Sequence, residues 1–362
     1  MKKLTFITII IISIFIHFGC NKQSIALNYE DLLLVEKVDG YSRDMFLNED
    51  TLFVVSEDDG LLIYNINENS GESSISLSLL YSDSLFFQSQ GWNLSGILYS
   101  EPLNRIFILD KFYSIQHSEL PDLNEGTSFQ FEKLCCQTDN QHPSTFTINQ
   151  LNENLEIFTL VRNKSNQAGV KSDVVSIFKT EMTILIIDEN TSMVIPSHDE
   201  IIDSLIYDAT DIHYRNNSLF ISHTSNDESE FKIYKRNDND NPFGLDTTIR
   251  TPFLPDAIYS DENFLFVGME EHGGAIIYNM DSMEEISWIS QGFSVRDIYW
   301  DPGSKFLLLS CGYQGVVVFE LDNDMNIDNT WVLSTSYAYT ARDYNDHVLI
   351  STRNGIEIIK IK

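Results

Sequence analysis

Residues 296–320 read RDIYWDPGSKFLLLSCGYQGVVVFE, and this stretch decides the fold. Arg296-Asp297 opens a short apolar stretch at Ile298. A turn follows, then Phe306-Leu307-Leu308-Leu309, then Gln314-Gly315, then Val316-Val317-Val318-Phe319. Apolar runs of this length are too short for a helix that buries a face, and they lack its i, i+3, i+4 spacing. A Gly directly before a β-branched run is a tight-hairpin signal, because Gly permits the positive φ such turns require. A further run at Thr330 to Ser334 brings the unit to four antiparallel strands, the content of one propeller blade.

The same grammar recurs along the chain. Arg43-Asp44-Met45 precedes Leu52-Phe53-Val54-Val55, Asp59-Gly60 and Leu61-Leu62-Ile63-Tyr64. Pro255-Asp256-Ala257 precedes Phe264-Leu265-Phe266-Val267, Gly273-Gly274 and Ala275-Ile276-Ile277-Tyr278. Arg342-Asp343-Tyr344 precedes His347-Val348-Leu349-Ile350, Asn354-Gly355 and Ile356-Glu357-Ile358-Ile359. Weaker copies start at Asp211-Ile212, Ser95-Gly96-Ile97 and Phe146-Thr147-Ile148. Anchors at 44, 95, 147, 211, 256, 297 and 343 are spaced by 51, 52, 64, 45, 41 and 46 residues, lengths that suit four-stranded blades. The third interval implies an insertion near Asn163 to Lys171. The expected architecture is therefore all-β, a single seven-bladed propeller over residues 30–362. Because 110–205 parses poorly, six or eight blades stay open. The last unit ends after three strands, and Leu32 to Val38 is a strand without a blade. If that strand completes the last blade, the ring closes with no open edge.

Leu61-Leu62-Ile63-Tyr64-Asn65-Ile66 resembles the signature strand of LVIVD-repeat propeller lipoproteins of the bacterial cell envelope, with Asn65 where that motif has Asp. The resemblance implies the propeller fold and an envelope address. It implies no shared catalytic set.

The N-terminus points the same way. Met1-Lys2-Lys3 is basic, Leu4 to Phe18 is apolar, and Gly19-Cys20 closes the segment. Fifteen apolar residues are short for a membrane span and suit the core of a secretion signal. Gly19-Cys20 resembles the lipobox of bacterial lipoproteins, with His17 where an aliphatic residue is usual. Residues 1–19 are thus read as a signal peptide, Cys20 as the lipidated residue and 20–29 as a linker. Plain cleavage near Gly19, or an uncleaved anchor, are the alternatives. Asn21 favours an outer-membrane or surface address, since it is not the Asp that retains some lipoproteins in the inner membrane.

Charge narrows the partners. The chain holds 23 Lys+Arg against 54 Asp+Glu, and loss of two lysines with residues 1–19 leaves a formal −33. Such a surface repels nucleic acid and anionic headgroups. An envelope protein, a glycan or a small ligand fits better, with membrane contact only through the lipid and the chain a monomer. Beyond Cys20, only Cys135, Cys136 and Cys311 remain, which excludes a disulfide-built scaffold. A vicinal 135–136 disulfide, a bridge to Cys311, or unpaired thiols are all compatible.

Two groups carry chemistry. Anchor residues crowd a propeller's central channel, so Arg43, Arg296 and Arg342 could together bind an anion by bidentate hydrogen bonds. Alternatively Asp44, Asp256, Asp297 and Asp343 pair with them and fix how blades meet. Asp322, Asp324, Asn326 and Asp328 alternate as in a calcium loop, although Ile327 replaces the usual Gly. Ca2+ is the one cofactor considered, against an ordinary acidic hairpin. Asn237 to Asn241 is a weaker candidate of the same kind. No nucleophile elbow, zinc-protease helix or phosphate-cradling loop occurs. The histidines, among them His213 and His223 in one unit, share no register that gathers them in the channel. The expectation is a non-catalytic binding or scaffold propeller, the alternative a metal-dependent hydrolase or lactonase using channel carboxylates.

Overall fold

The computed structural model describes residues 32–361 except 58, 69–74, 83–92, 111–113, 122, 124–128, 135–140, 152–153, 164–173, 189–190, 207–208, 226–227 and 239–241. The signal segment, Cys20, the linker, Cys135 and Cys136 lie outside the described residues, as do most of the expected insertion and Asn239 to Asn241.

Seven four-stranded antiparallel sheets form the ring. Six run from inner to outer strand in chain order. Their innermost strands are Ser42–Asn48, Leu94–Ser100, Gln141–Leu151, Ala209–Arg215, Pro255–Ser260 and Asp297–Asp301, defining blades 1 to 6. Blade 7 starts with Ala338–Tyr344 and is completed from the other end of the chain. Its outer strand is Leu32–Val38, paired with Gly355–Ile361 in a register that sets Leu34 against Ile359 and Val38 against Ile356. The protein is a seven-bladed β-propeller whose ring closes as the orphan strand requires. At the seam Gly355 adopts φ +105°, and a Cβ there would drive into the Val38 carbonyl oxygen. Only Gly fits that turn.

The core lies between blades, as the apolar runs demand. A strand inside a blade is covered on both faces and therefore reads as continuous hydrophobics rather than alternation. Seven buried clusters occur among the described residues, one at each junction. Phe266 and Ile277 of blade 5 meet Trp300 and Leu309 of blade 6, and Met45 and Val54 of blade 1 meet Leu349 and Ile358 of blade 7. Each large side chain so buried contributes about 1.5–3 kcal/mol. Blades 3 and 4 are also joined by a buried ion pair, in which Arg236 donates to Glu156 at 2.6 Å.

One strand boundary is revised, and the length of the third unit has a source besides the expected insertion. The length of the third unit resides, among the described residues, in its outer hairpin, Val174–Asp188 with Thr191–Ile206. That hairpin continues past the inner strands, where Thr183 is the last residue paired to Asn154. The outer strand of blade 6 begins at Ile327 rather than Thr330, because Leu321 already pairs with Ile327 across a bulge. Cys311 is a buried free thiol that donates to the Leu309 carbonyl at 3.3 Å, so no bridge to it forms.

Candidate functional site: the central channel and its tyrosine rim

The innermost strands of all seven blades line one channel of about 490 Å3. Their register is set by β-bulges near the strand starts, where Arg43, Ser95, Ser144, Asp256 and Tyr339 are each the extra residue. The buried residue two places on, such as Met45, Ile97, Ile258 or Ala341, packs between blades. In this register Asp44, Asp211 and Asp297 are equivalent.

Each of the three uses its carboxylate to clip its blade to the next. Asp44 accepts the N–H of Met45 at 2.8 Å through one oxygen and that of Ile97, on blade 2, at 3.0 Å through the other. Asp211 does the same with Ile212 at 2.9 Å and Ile258 of blade 5 at 2.8 Å. Asp297 accepts from Ile298 and from Ala341 of blade 7. Sequence reasoning took Asp211 as the anchor of a weaker copy and left it out of the site, although Asp211-Ile212 keeps the Asp-Ile pair of Asp297-Ile298.

The arginines are closed by acids. Arg342 donates to Asp297 at 3.1 Å, lies 3.8 Å from Asp44, and rests over the Tyr299 ring at 5.2 Å. It therefore spans blades 6, 7 and 1. Arg296 meets Asp256 at 3.0 Å and Glu270 at 2.7 Å. Arg43 pairs with Glu57 and lies against the rings of Tyr41 and Tyr339. The three arginines line the same channel, but each meets a different set of acids. Arg342 sits three residues deeper in its strand than the position equivalent to Arg43, which in blade 7 is Tyr339. The Arg-Asp pairs look alike in sequence, but the bulge sets the register. For the same reason Asp343 falls outside the channel, buried beside Ser304 and Asp301 of blade 6. Asp256 stands in the register of Arg296, one place before the clipping aspartates.

Burial dominates the electrostatics. It pushes Asp44 up to about 6 against the pull of Arg342, and Asp211 up to about 7. Asp256 rises to about 6 through burial and the adjoining Glu270 carboxylate. His213, missed by the anchor register, also lines the channel. Its ring packs 5.3 Å from that of Tyr259, and burial lowers its pKa to about 4, so it is neutral at pH 7. His223 lies apart, buried against Glu230 at 3.0 Å. A metal-dependent hydrolase needs carboxylate oxygens left for a ligand. Each oxygen of Asp44 and of Asp211 accepts one backbone N–H group. Among the described residues, no set of three His, Cys, Asp or Glu side chains is grouped to hold a metal.

At the calcium candidate, the Asp322 carboxylate accepts the N–H groups of Asp324 and Asn326, each at 2.8 Å, and the Asn326 amide at 2.9 Å. Met325, at φ +62°, tucks into the core between blades 5 and 6. Asp328 has joined the outer strand. The acids here shape a hairpin turn.

A second feature crowns the channel. In a four-stranded blade, the turns between strands two and three lie at the end where the innermost strand begins. On that face Tyr41 and Tyr337 directly precede innermost strands, Tyr339 is the second residue of one, and Tyr313 lies in a strand-two to strand-three turn. Ring centroids step 4.7 Å from Tyr313 to Tyr337, 4.6 Å to Tyr339 and 5.9 Å to Tyr41. Arg353 lies 4.3 Å over the Tyr337 ring, and Tyr313 is 72% exposed. No local motif announces this patch, because its tyrosines come from blades 6, 7 and 1.

No protein-family profile matches the chain, and no curated protein matches it. Solved structures do match. The computationally designed Ika8 protein aligns over 91% of this chain and 98% of its own at 8% identity, with a TM-score of 0.56. The WD40 beta propeller domain of Doa1 aligns over 91% and 97% at 12% identity, TM-score 0.54. U3-55K aligns over 92% and 100% at 8% identity, TM-score 0.56. The likeness is one of fold. Propellers host many functions, so the residues of the channel and rim must carry any functional reading.

Proposed function

We propose that this protein is a non-catalytic binding or scaffold propeller of a bacterial cell envelope, anchored by lipid at Cys20, with its partner seated on the tyrosine rim. The observation that carries the reading is the contrast between channel and rim. In the channel, acids and guanidiniums satisfy one another and the neighbouring backbone. At the rim, Tyr313 and Arg353 stand exposed over the half-buried Tyr41, Tyr337 and Tyr339, and these are the residue types that dominate the energetics of protein interfaces.

The tether supports this orientation. Antiparallel pairing makes Leu32–Val38 run toward the tyrosine face, so the chain reaches Leu32 at the opposite face. A lipid at Cys20 would then leave the rim pointing away from the bilayer. The Gly19-Cys20 pair and the basic-apolar start support export and lipidation.

The test is capture of the tagged full chain from cross-linked cells of its own source, beside Tyr313→Ala/Tyr337→Ala. The reading expects a reproducible envelope partner that the double variant loses while its melting temperature holds. A partner indifferent to the rim would overturn the placement. Metal-dependent turnover lost in Asp256→Asn would replace the reading with the hydrolase alternative.

A further inference from the structure

Arg353 lies in the turn between His347–Thr352 and Gly355–Ile361, on the tyrosine face. Its Nε donates to the Tyr339 hydroxyl at 3.3 Å, and another of its nitrogens donates to the Tyr313 hydroxyl. Its guanidinium covers the rings of Tyr337 at 4.3 Å and Tyr313 at 4.9 Å. A guanidinium carries five N–H groups, so these bonds leave donors over. Arg43, Arg296 and Arg342 each meet carboxylates, in a chain with 54 acids against 23 basic residues. Arg353 meets none among the described residues. A cation without an acid partner among the described residues, in so acidic a chain and beside the 72% exposed Tyr313, lacks the counter-charge that its neighbours have.

We propose that Arg353, Tyr313, Tyr337 and Tyr339 form the anchor site for a protein partner that presents one carboxylate beside an apolar or aromatic side chain. The inference deepens the binding reading above and rests on it. Charge complementarity supplies the carboxylate, because guanidinium is the group best matched to it geometrically. The surrounding acidity limits that charge to one: a polyanionic glycan or nucleic acid would be repelled by a chain of net charge −31. Rigid tyrosine rings provide large contact area at low entropic cost, the composition of protein-binding paratopes. Two hydroxyls and two rings already hold the Arg353 side chain, so little further ordering is needed on binding.

The experiment pans a displayed random-peptide library on the full chain and on Arg353→Gln. Recovered peptides are then titrated in acid form and with the acidic residue replaced by its amide. The expected result is recovery of peptides with a single Asp, Glu or free C-terminus next to an apolar residue. The amide form should bind the native chain at least about tenfold more weakly, roughly one charge-assisted hydrogen bond. On Arg353→Gln the two forms should bind alike, and Arg353→Lys should recover part of the difference. An unchanged melting temperature in Arg353→Gln separates this loss from misfolding. Peptides without acid preference, or a preference that survives in Arg353→Gln, would overturn the inference. So would Arg353-dependent binding of a uronate oligosaccharide with no peptide recovered. Cellular capture that fails in Tyr313→Ala/Tyr337→Ala but not in Arg353→Gln would also overturn it, while leaving the rim as the binding face.

Discussion

Asp211 accepts the backbone N–H of Ile258 at 2.8 Å, so a side chain of blade 4 closes a hydrogen bond that no sheet supplies. Innermost strands of adjacent blades diverge, and their start residues cannot pair as a ladder. A carboxylate reaching across satisfies the buried donor. Asp44 and Asp297 repeat the device toward Ile97 and Ala341.

Asp211→Ala should therefore strand the N–H of Ile258 and cost about 1–3 kcal/mol. Asp211→Asn keeps an acceptor oxygen and should cost less. Chemical-denaturation midpoints of the two variants decide it; equal losses would mean that the clip does not stabilise the ring.

Acidity should stabilise through the same residue. Burial raises the Asp211 pKa to about 7, above its unfolded value. The native state therefore binds more protons than the unfolded state between the two values. Its contribution is fully present below the unfolded pKa of about 3.9 and is lost as pH rises through about 7. His213 acts oppositely: its pKa is lowered to about 4, so its contribution is present above about 6.5 and lost as pH falls toward 4. The stability of the native chain relative to Asp211→Asn should fall between pH 5 and pH 8. Melting curves of both proteins across that range test the sign.

Arg342 holds two carboxylates of separate blades, Asp297 at 3.1 Å and Asp44 at 3.8 Å. Arg342→Met leaves both without their cation and should cost about 3 kcal/mol. The loss should be greater at pH 8 than at pH 5, where the acids can take protons. A pH-independent loss would assign Arg342 a packing role only.

Gly355→Ala should weaken the seam between the chain ends. The added Cβ meets the Val38 carbonyl and the residue keeps a positive φ, a strain of about 1–3 kcal/mol. The same change at Gly244, which has open space and no positive φ, should be nearly silent. Thermal melts of the two variants make the comparison.

At the hairpin from Asp322 to Asp328, the carboxylate is committed to its own turn. Asp322→Ala should lower stability slightly, through loss of these exposed local bonds. The melting temperature of the native chain should be the same in calcium and in chelator. A calcium-dependent rise that Asp322→Ala removes would restore the calcium-loop reading.

Much of the fold is legible in the sequence because its causes are local. Short apolar runs, Gly turns and the spacing of units specify hairpins, and hairpins specify blades. The orphan strand Leu32 to Val38 and the three-stranded last unit also announce the closure. The site is legible only in part. Asp44 and Asp297 could be found from their repeat, but Arg342-Asp343 misled, since a bulge at Tyr339 shifts the register and turns Asp343 away from the channel. His213 had no repeat partner to mark it.

What the sequence by itself determined is therefore the strand content, the blade count as a most economical reading, and the acidity of the surface, all consequences of residue type and near-neighbour pattern. Tertiary structure decided which charges meet and which rings touch. Tyr41 and Tyr339 share a 2.6 Å hydroxyl contact across 298 residues of chain. Such a contact exists only because the ring closes, and no propensity along the chain encodes it.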